Sequence, residues 1–168
     1  MGNMSTIEDA LNLRSEGNLN KSNELLRKLT KANPHDASLQ YQCAWSFDVL
    51  GEERAAVPYY ERAIKLGGLS LDELRGAYVG LGSTYRTLGE YTESERVLQE
   101  GLKTFPDAAD IAVFYAMTLY NLGRNQAAME LLLKLLATTS NEESVQAYAK
   151  AITFYADKLD QTWGDASS

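Results

Sequence analysis

Four glycines constrain this chain more than any other feature. Gly17, Gly51, Gly89 and Gly123 are separated by 34, 38 and 34 residues. Each stands between two segments of helical periodicity, where a residue in the left-handed region ends the first helix. Side-chain size follows the same period. Seven residues before each glycine stand Ala10, Ala44, Gly82 and Ala116, and five after it stand Ser22, Ala56, Ser94 and Ala128, all small. Four before are Leu13, Phe47, Tyr85 and Leu119, and nine after are Leu26, Tyr60, Leu98 and Leu132, all large and apolar. Pro34, Gly68, Pro106 and Ser140, seventeen after, suit the end of a helix. Small residues let the two helices of a pair approach closely, and large ones fill the space between stacked pairs. A lone helix pair cannot bury its apolar face, so units of this kind must stack.

The pattern predicts helix pairs over about 5–16 with 19–32, 36–50 with 53–66, 70–88 with 91–104, and 107–122 with 125–138. Ser5 with Glu8, Ser70 with Glu73 and Ser140 with Glu143 have the spacing of capping boxes at helix starts. The four extra residues of the 38 spacing fall near Gly67 to Leu74 and predict a longer loop and a lengthened fifth helix. Pro58, early in the fourth helix, removes one backbone hydrogen bond and predicts a mild kink. After Ser140, the run from Glu142 to Asp160 reads as one more amphipathic helix, about 141–160, expected to cover the end of the stack. Residues 161–168 read as a flexible tail, with Trp163 as its one side chain suited to docking.

On these residues the chain resembles a tetratricopeptide repeat (TPR) protein. The segment from Ala44 to Leu66, AWSFDVLGEERAAVPYYERAIKL, and the segment from Gly80 to Asp107, GLGSTYRTLGEYTESERVLQEGLKTFPD, carry the strongest likeness. The first repeat, ALNLRSEGNLNKSNELLRKLTKANP, is also similar, and the fourth departs only where Ser140 replaces the closing proline. The resemblance spans about Ser5 to Ser140. It implies an all-α superhelical solenoid of four helix-turn-helix repeats, about 5–34, 36–68, 70–106 and 107–140, plus a C-terminal capping helix, as a single domain over 1–160. In length the chain resembles small stand-alone bacterial cytoplasmic proteins of that family.

Composition removes several function classes. Sixteen basic and twenty-three acidic residues give a net charge of −7. That balance argues against nucleic acid or an anionic membrane as partner, because both reward clustered Lys and Arg. One cysteine and one histidine, Cys43 and His35, exclude an internal disulfide and every multi-cysteine or multi-histidine metal site. No Walker-type phosphate loop is present, since the GLGSTY stretch lacks lysine and reads as mid-helix. Cys43 precedes the small Ala44 in a helix and reads as a buried thiol, and His35 follows Pro34 in a turn. No catalytic residue, metal site or cofactor is expected. The most apolar stretch, Ala108 to Tyr120, is shorter than a membrane span and contains Asp110. No secretory signal is evident, and a cytoplasmic location is the default expectation. Met1-Gly2-Asn3-Met4-Ser5-Thr6 fits the loose N-myristoylation pattern, but one acyl chain anchors weakly.

The resemblance implies a concave groove, lined by the first helix of each pair, that binds peptide segments of a protein partner. The residues similar to that lining form rows: Ile7, Tyr41, Val79, Val113; then Leu11, Trp45, Ser83, Met117; then Arg14, Asp48, Arg86, Tyr120. Family members that grip an acidic C-terminal tail use Lys, Asn and Arg at points occupied here by Ile7, Leu11, Gln42, Gly76 and Gly80, so that clamp is missing. What remains is an apolar and aromatic groove. Its candidate partner-binding residues are Tyr41, Trp45, Asp48, Val79, Ser83, Arg86, Val113, Met117 and Tyr120, with Trp45 and Arg86 as the favoured anchors by residue type. Pairing among Arg14, Asp48 and Arg86, partial burial of Tyr41 and Trp45, and occupation of the groove by the chain's own tail or a second copy are the competing readings. Gly76 and Gly80 would let a ligand backbone come close, or Gly76 would merely loosen a helix start. A self-associating scaffold, hence a homo-oligomer, is the alternative function.

Overall fold

The computed structural model describes residues 5–164. Among these residues all regular structure is helical: α1 (Ile7–Ser15), α2 (Leu19–Ala32), α3 (Ala37–Asp48), α4 (Glu53–Leu66), α5 (Leu71–Thr87), α6 (Tyr91–Thr104), α7 (Ala109–Asn121), α8 (Asn125–Thr139), α9 (Glu143–Ala147) and α10 (Ala149–Tyr155). The first eight form four antiparallel pairs that stack in chain order.

The glycine column closes each pair. Gly17, Gly51, Gly89 and Gly123 have φ between 73° and 81°, which side-chain-bearing residues adopt only under strain. At every one of these turns the amide that follows the glycine donates to the carbonyl five residues earlier: Asn18 to Leu13, Glu52 to Phe47, Glu90 to Tyr85 and Arg124 to Leu119. The acceptor is therefore the large apolar column itself, and the turn that satisfies its carbonyl also fixes the angle between the two helices.

The small columns meet at the helix crossings. Ala10, Ala44, Ala56 and Ala116 are at most 1% exposed. In two repeats the small residue is a serine whose hydroxyl donates across the pair, Ser22 to the Ala10 carbonyl and Ser94 to the Gly82 carbonyl, both at 2.7 Å. Leu26, Tyr60 and Leu98 are 0–2% exposed between successive pairs. Their continuous packing makes one core of the first three pairs and the start of the fourth.

Several local expectations are corrected. Helix α1 is capped by Thr6 with Asp9, one residue later than the Ser5–Glu8 pattern. The Ser70–Glu73 box forms at α5. Ser140 instead ends α8, and α9 starts at Glu143 after an N-cap, Glu142, that makes no side-chain capping bond. The loop before α5 is no longer than those before α3 and α7, so the inserted residues extend α5, which has 17 residues. Helix α4 runs through Pro58 without interruption.

The largest correction lies after Ser140. The single helix expected over 141–160 is two short ones that meet at Tyr148, whose amide bonds to the Val145 carbonyl three residues back. Neither α9 nor α10 contains a buried residue, and a helix without a buried stripe has little to hold it continuous. Helix α10 packs on α8, but Leu132, fourth member of the column filled by Leu26, Tyr60 and Leu98, is 37% exposed. The cap covers the last pair only in part. Of the expected tail, 161–164 carry no regular structure, and Trp163 packs against the Phe154 and Tyr155 rings. Residues 165–168 and most of the acylation pattern, residues 1–4, lie outside the described residues.

Candidate functional site

The curvature follows from which helices touch. Helix α3 packs on α5 and α5 on α7, while among the described residues the second helices of successive pairs make no comparable contacts. A stack held closer on one side bends toward it, so α3, α5 and α7 line the concave face. Several repeat-to-repeat polar bonds lie along this layer. Arg75 makes a two-pronged contact with Asp110 at 2.8–3.0 Å, Arg86 Nε donates to Asn121 Oδ1 at 2.7 Å, and Thr84 donates to Asp48 at 2.9 Å.

Four of the nine candidate residues converge. Tyr41, Trp45, Asp48 and Val79 line a pocket of about 360 Å³ between α3 and α5, together with Tyr60, Gly76, Gly80 and Asp110. Trp45 is 41% exposed and is the pocket's largest accessible apolar surface. The Arg14 guanidinium lies over its indole at 4.0 Å and donates through Nη2 to Gln42 at 2.7 Å. A cation so placed favours one orientation of the ring. Burial lowers the Arg14 pKa from its ordinary value, and the nearby Tyr41 and Tyr60 hydroxyls oppose that shift.

Asp48 belongs to the wall. Its carboxylate accepts from the Tyr60 hydroxyl at 2.6 Å and from Thr84 at 2.9 Å, which ties α3, α4 and α5 together. Burial raises its pKa, and these two hydrogen bonds act in the opposite sense. Tyr60 is raised too, by burial first and by the adjacent carboxylate second. Arg14, Asp48 and Arg86 thus do not pair with one another; each is bound to a different neighbour.

A second, almost wholly apolar pocket of about 330 Å³ lies between α7 and α8 and takes in Arg86, Met117 and Tyr120 with Met129 and Leu132. Ser83 and Val113 line neither pocket: the Ser83 hydroxyl donates to the Gly80 carbonyl, and Val113 is exposed on α7. Four of the nine residues thus meet at the first pocket and three at the second.

Sequence reasoning missed Tyr60 and gave Gly76 and Gly80 a different role. A Cβ on Gly80 would lie 2.5 Å from the Tyr60 ring, and one on Gly76 would collide with the Tyr41 hydroxyl. Both glycines make room for tyrosines of the preceding repeat. The signal was present, since Tyr60 is the only aromatic residue in a column otherwise of leucines.

Chemistry elsewhere is sparse. Cys43 is buried, and burial pushes its thiol up to about 11, the opposite of an activated nucleophile. Among the described residues no group of three or more His, Cys, Asp or Glu is placed to hold a metal ion, and no helix is long and apolar enough to cross a membrane.

Comparison with known proteins agrees with this geometry. No curated protein matches the chain. Among solved structures, the crystal structure of MamA protein superposes with a TM-score of 0.73 at 18% identity, covering 92% of this chain and 85% of that one. A second crystal structure of MamA gives 0.72 at 19%, covering 93% and 91%. The crystal structure of YrrB, described as a TPR protein with an unusual peptide-binding site, gives 0.69 at 16%, covering 91% and 79%. At such identities the likeness is one of fold. A sequence model described as Tetratrico peptide repeat matches residues 37–159, most of the chain and most of the helices whose packing is set out above. With repeat columns, turn geometry and family match in agreement, this chain belongs to the tetratricopeptide repeat family.

Proposed function

We propose that this protein is a non-enzymatic interaction module that binds a peptide segment of a protein partner in its concave groove, with an apolar or aromatic side chain of the ligand seated between α3 and α5. The observation that carries this reading is the half-exposed Trp45, held by Arg14 at the mouth of a pocket walled by Tyr41, Tyr60 and Val79. An aromatic ring fixed before binding loses little conformational freedom on binding, and residues of this type dominate interface energies. Gly76 and Gly80 seat the Tyr41 and Tyr60 rings that wall this pocket. Family membership supports protein binding in general, and the peptide-binding site named for YrrB shows one relative by fold using it.

The test is a lysate capture with wild-type bait beside Trp45→Ala and Trp45→Glu variants, each checked for native helicity by circular dichroism. A partner held by wild type and lost by both variants supports the groove. Equal retention by all three baits overturns it.

A further inference from the structure

The C-terminal end of the stack exposes more apolar surface than the rest of the molecule. Of the fifteen large apolar side chains exposed among the described residues, ten lie from Met117 onward. Tyr120, Tyr148, Phe154, Tyr155 and Trp163 are 47–68% exposed, and Met117, Met129, Leu132, Leu136 and Leu159 are 37–46% exposed. The repeat explains why. In the first three pairs the column of Leu26, Tyr60 and Leu98 is sealed by the first helix of the next pair. At Leu132 no described helix takes that position: α10 packs on α8, with Gln126 bonded to Asp160, and among the described residues the α7–α8 pocket stays open.

Two properties of this end decide what covers it. The first is charge. Residues 113–164 contain four basic side chains (Arg124, Lys134, Lys150, Lys158) and five acidic ones (Glu130, Glu142, Glu143, Asp157, Asp160), a net of −1 within a chain of net −7. Lys134 pairs with Glu130 and Lys158 with Asp157. Two copies of an acidic protein repel wherever their charge is concentrated, and here that repulsion is nearly absent. The second is area. Five half-exposed aromatics at roughly 100 Å² each, with five aliphatic side chains adding about 350 Å², amount to about 850 Å². A stable dimer of standard size buries about 800 Å² from each partner.

We propose that the occupant is a second copy of this chain, the two C-terminal ends meeting about a two-fold axis. In such an interface, residue i of one copy contacts residue j of the other and the reverse. The Phe154–Tyr155–Trp163 cluster, whose ring centroids are 5.1–6.2 Å apart, is a compact aromatic knob. The 330 Å³ pocket that Leu132 and Met129 help to line has room for one aromatic side chain. Each copy supplies one knob and one pocket. The Trp45 pocket shares no lining residue with the α7–α8 pocket, so a dimer of this kind leaves two Trp45 pockets free.

Sedimentation velocity and light scattering over a concentration series test this, with wild type, Leu132→Glu, Trp163→Ala and Trp45→Ala compared. Wild type should run at twice 18.6 kDa at the upper concentrations. Leu132→Glu and Trp163→Ala should each raise the dissociation constant at least about 30-fold, with Trp45→Ala unchanged. Both interface positions are exposed, so the substitutions leave the folded monomer intact, which circular dichroism checks. Wild type that stays monomeric at about 200 µM, a scale at which a standard interface is occupied, overturns the proposal. So does a dimer indifferent to both Leu132→Glu and Trp163→Ala.

Discussion

The ring of Tyr60 occupies the space that a Cβ on Gly80 would need: its Cζ and hydroxyl atoms lie 2.5 Å from that position. Tyr60 is 2% exposed and its hydroxyl is bound to Asp48, so it has no room to retreat. Helix α5 thus forgoes a better helix former at this point to seat the side chain that joins it to α4.

The two glycines of α5 should respond oppositely to alanine. Helix propensity favours alanine by about 1 kcal/mol at each. At Gly80, overpacking against buried Tyr60 costs about 1–3 kcal/mol, so Gly80→Ala should lower stability. At Gly76 the obstacle is the free end of the half-buried Tyr41, which can swing aside. Gly76→Ala should be neutral or stabilising by up to about 1 kcal/mol. Urea denaturation of both variants checks this, and equal midpoints would show that Tyr60 is not held as described.

Asp48 gives the fold a pH dependence of definite sign. Burial raises its pKa above the usual carboxylate value, so the folded state holds this proton more tightly than the unfolded chain. The stabilisation is complete below the unfolded value and declines as pH rises through the interval up to the folded one. Asp48→Asn has no proton to lose. The stability of wild type relative to Asp48→Asn should therefore fall as pH rises above the ordinary carboxylate value of about 4. A difference that is flat, or grows with pH, refutes the assignment.

Ser94 links two repeats where Ser22 links only the helices of one. Its hydroxyl reaches the Gly82 carbonyl and, at 2.9 Å, the Thr118 hydroxyl of the next pair. Ser22→Ala should cost about 1 kcal/mol and Ser94→Ala about 1–2 kcal/mol. A double-mutant cycle of Ser94→Ala with Thr118→Val should show a coupling of at least about 0.5 kcal/mol; additivity would mean the hydroxyl pair contributes nothing.

Cys43 should be silent toward thiol reagents in the native state. It is wholly buried and its thiol is pushed up to about 11. Modification by a disulfide reagent at about pH 8 should be at least 100-fold slower than in denaturing urea. Its rate should follow global opening, because the surrounding core unfolds as a unit. Rapid labelling of folded protein would place the thiol at the surface.

The helix pairs and their turns were legible in the chain because their causes are local. Gly89 ends α5 through bonds to residues three to five positions away, and the Ala10 and Ser22 columns meet within one pair. Capping was less legible. Thr6 with Asp9 and Ser5 with Glu8 are equivalent patterns one residue apart, and only one of them closes. The groove was half legible. Tyr41, Trp45 and Val79, singled out by residue type as groove residues, line one pocket, whereas Arg86 and Ser83 are bound to Asn121 and to the α5 backbone.

The amino-acid sequence by itself determined that this chain is a stack of helix pairs, where each pair turns, and which small residues meet inside each pair. Those outcomes follow from side-chain size, glycine placement and apolar period within about forty residues. Tertiary structure alone decided which polar groups of the concave face remain available, since Asp48 meets Thr84 and Arg86 meets Asn121 only after the repeats have stacked. It also decided the fate of Leu132. That residue has the same place in its repeat as Leu26 and Leu98, yet burial depends on the helix that arrives next, and α10 settles beside it rather than upon it.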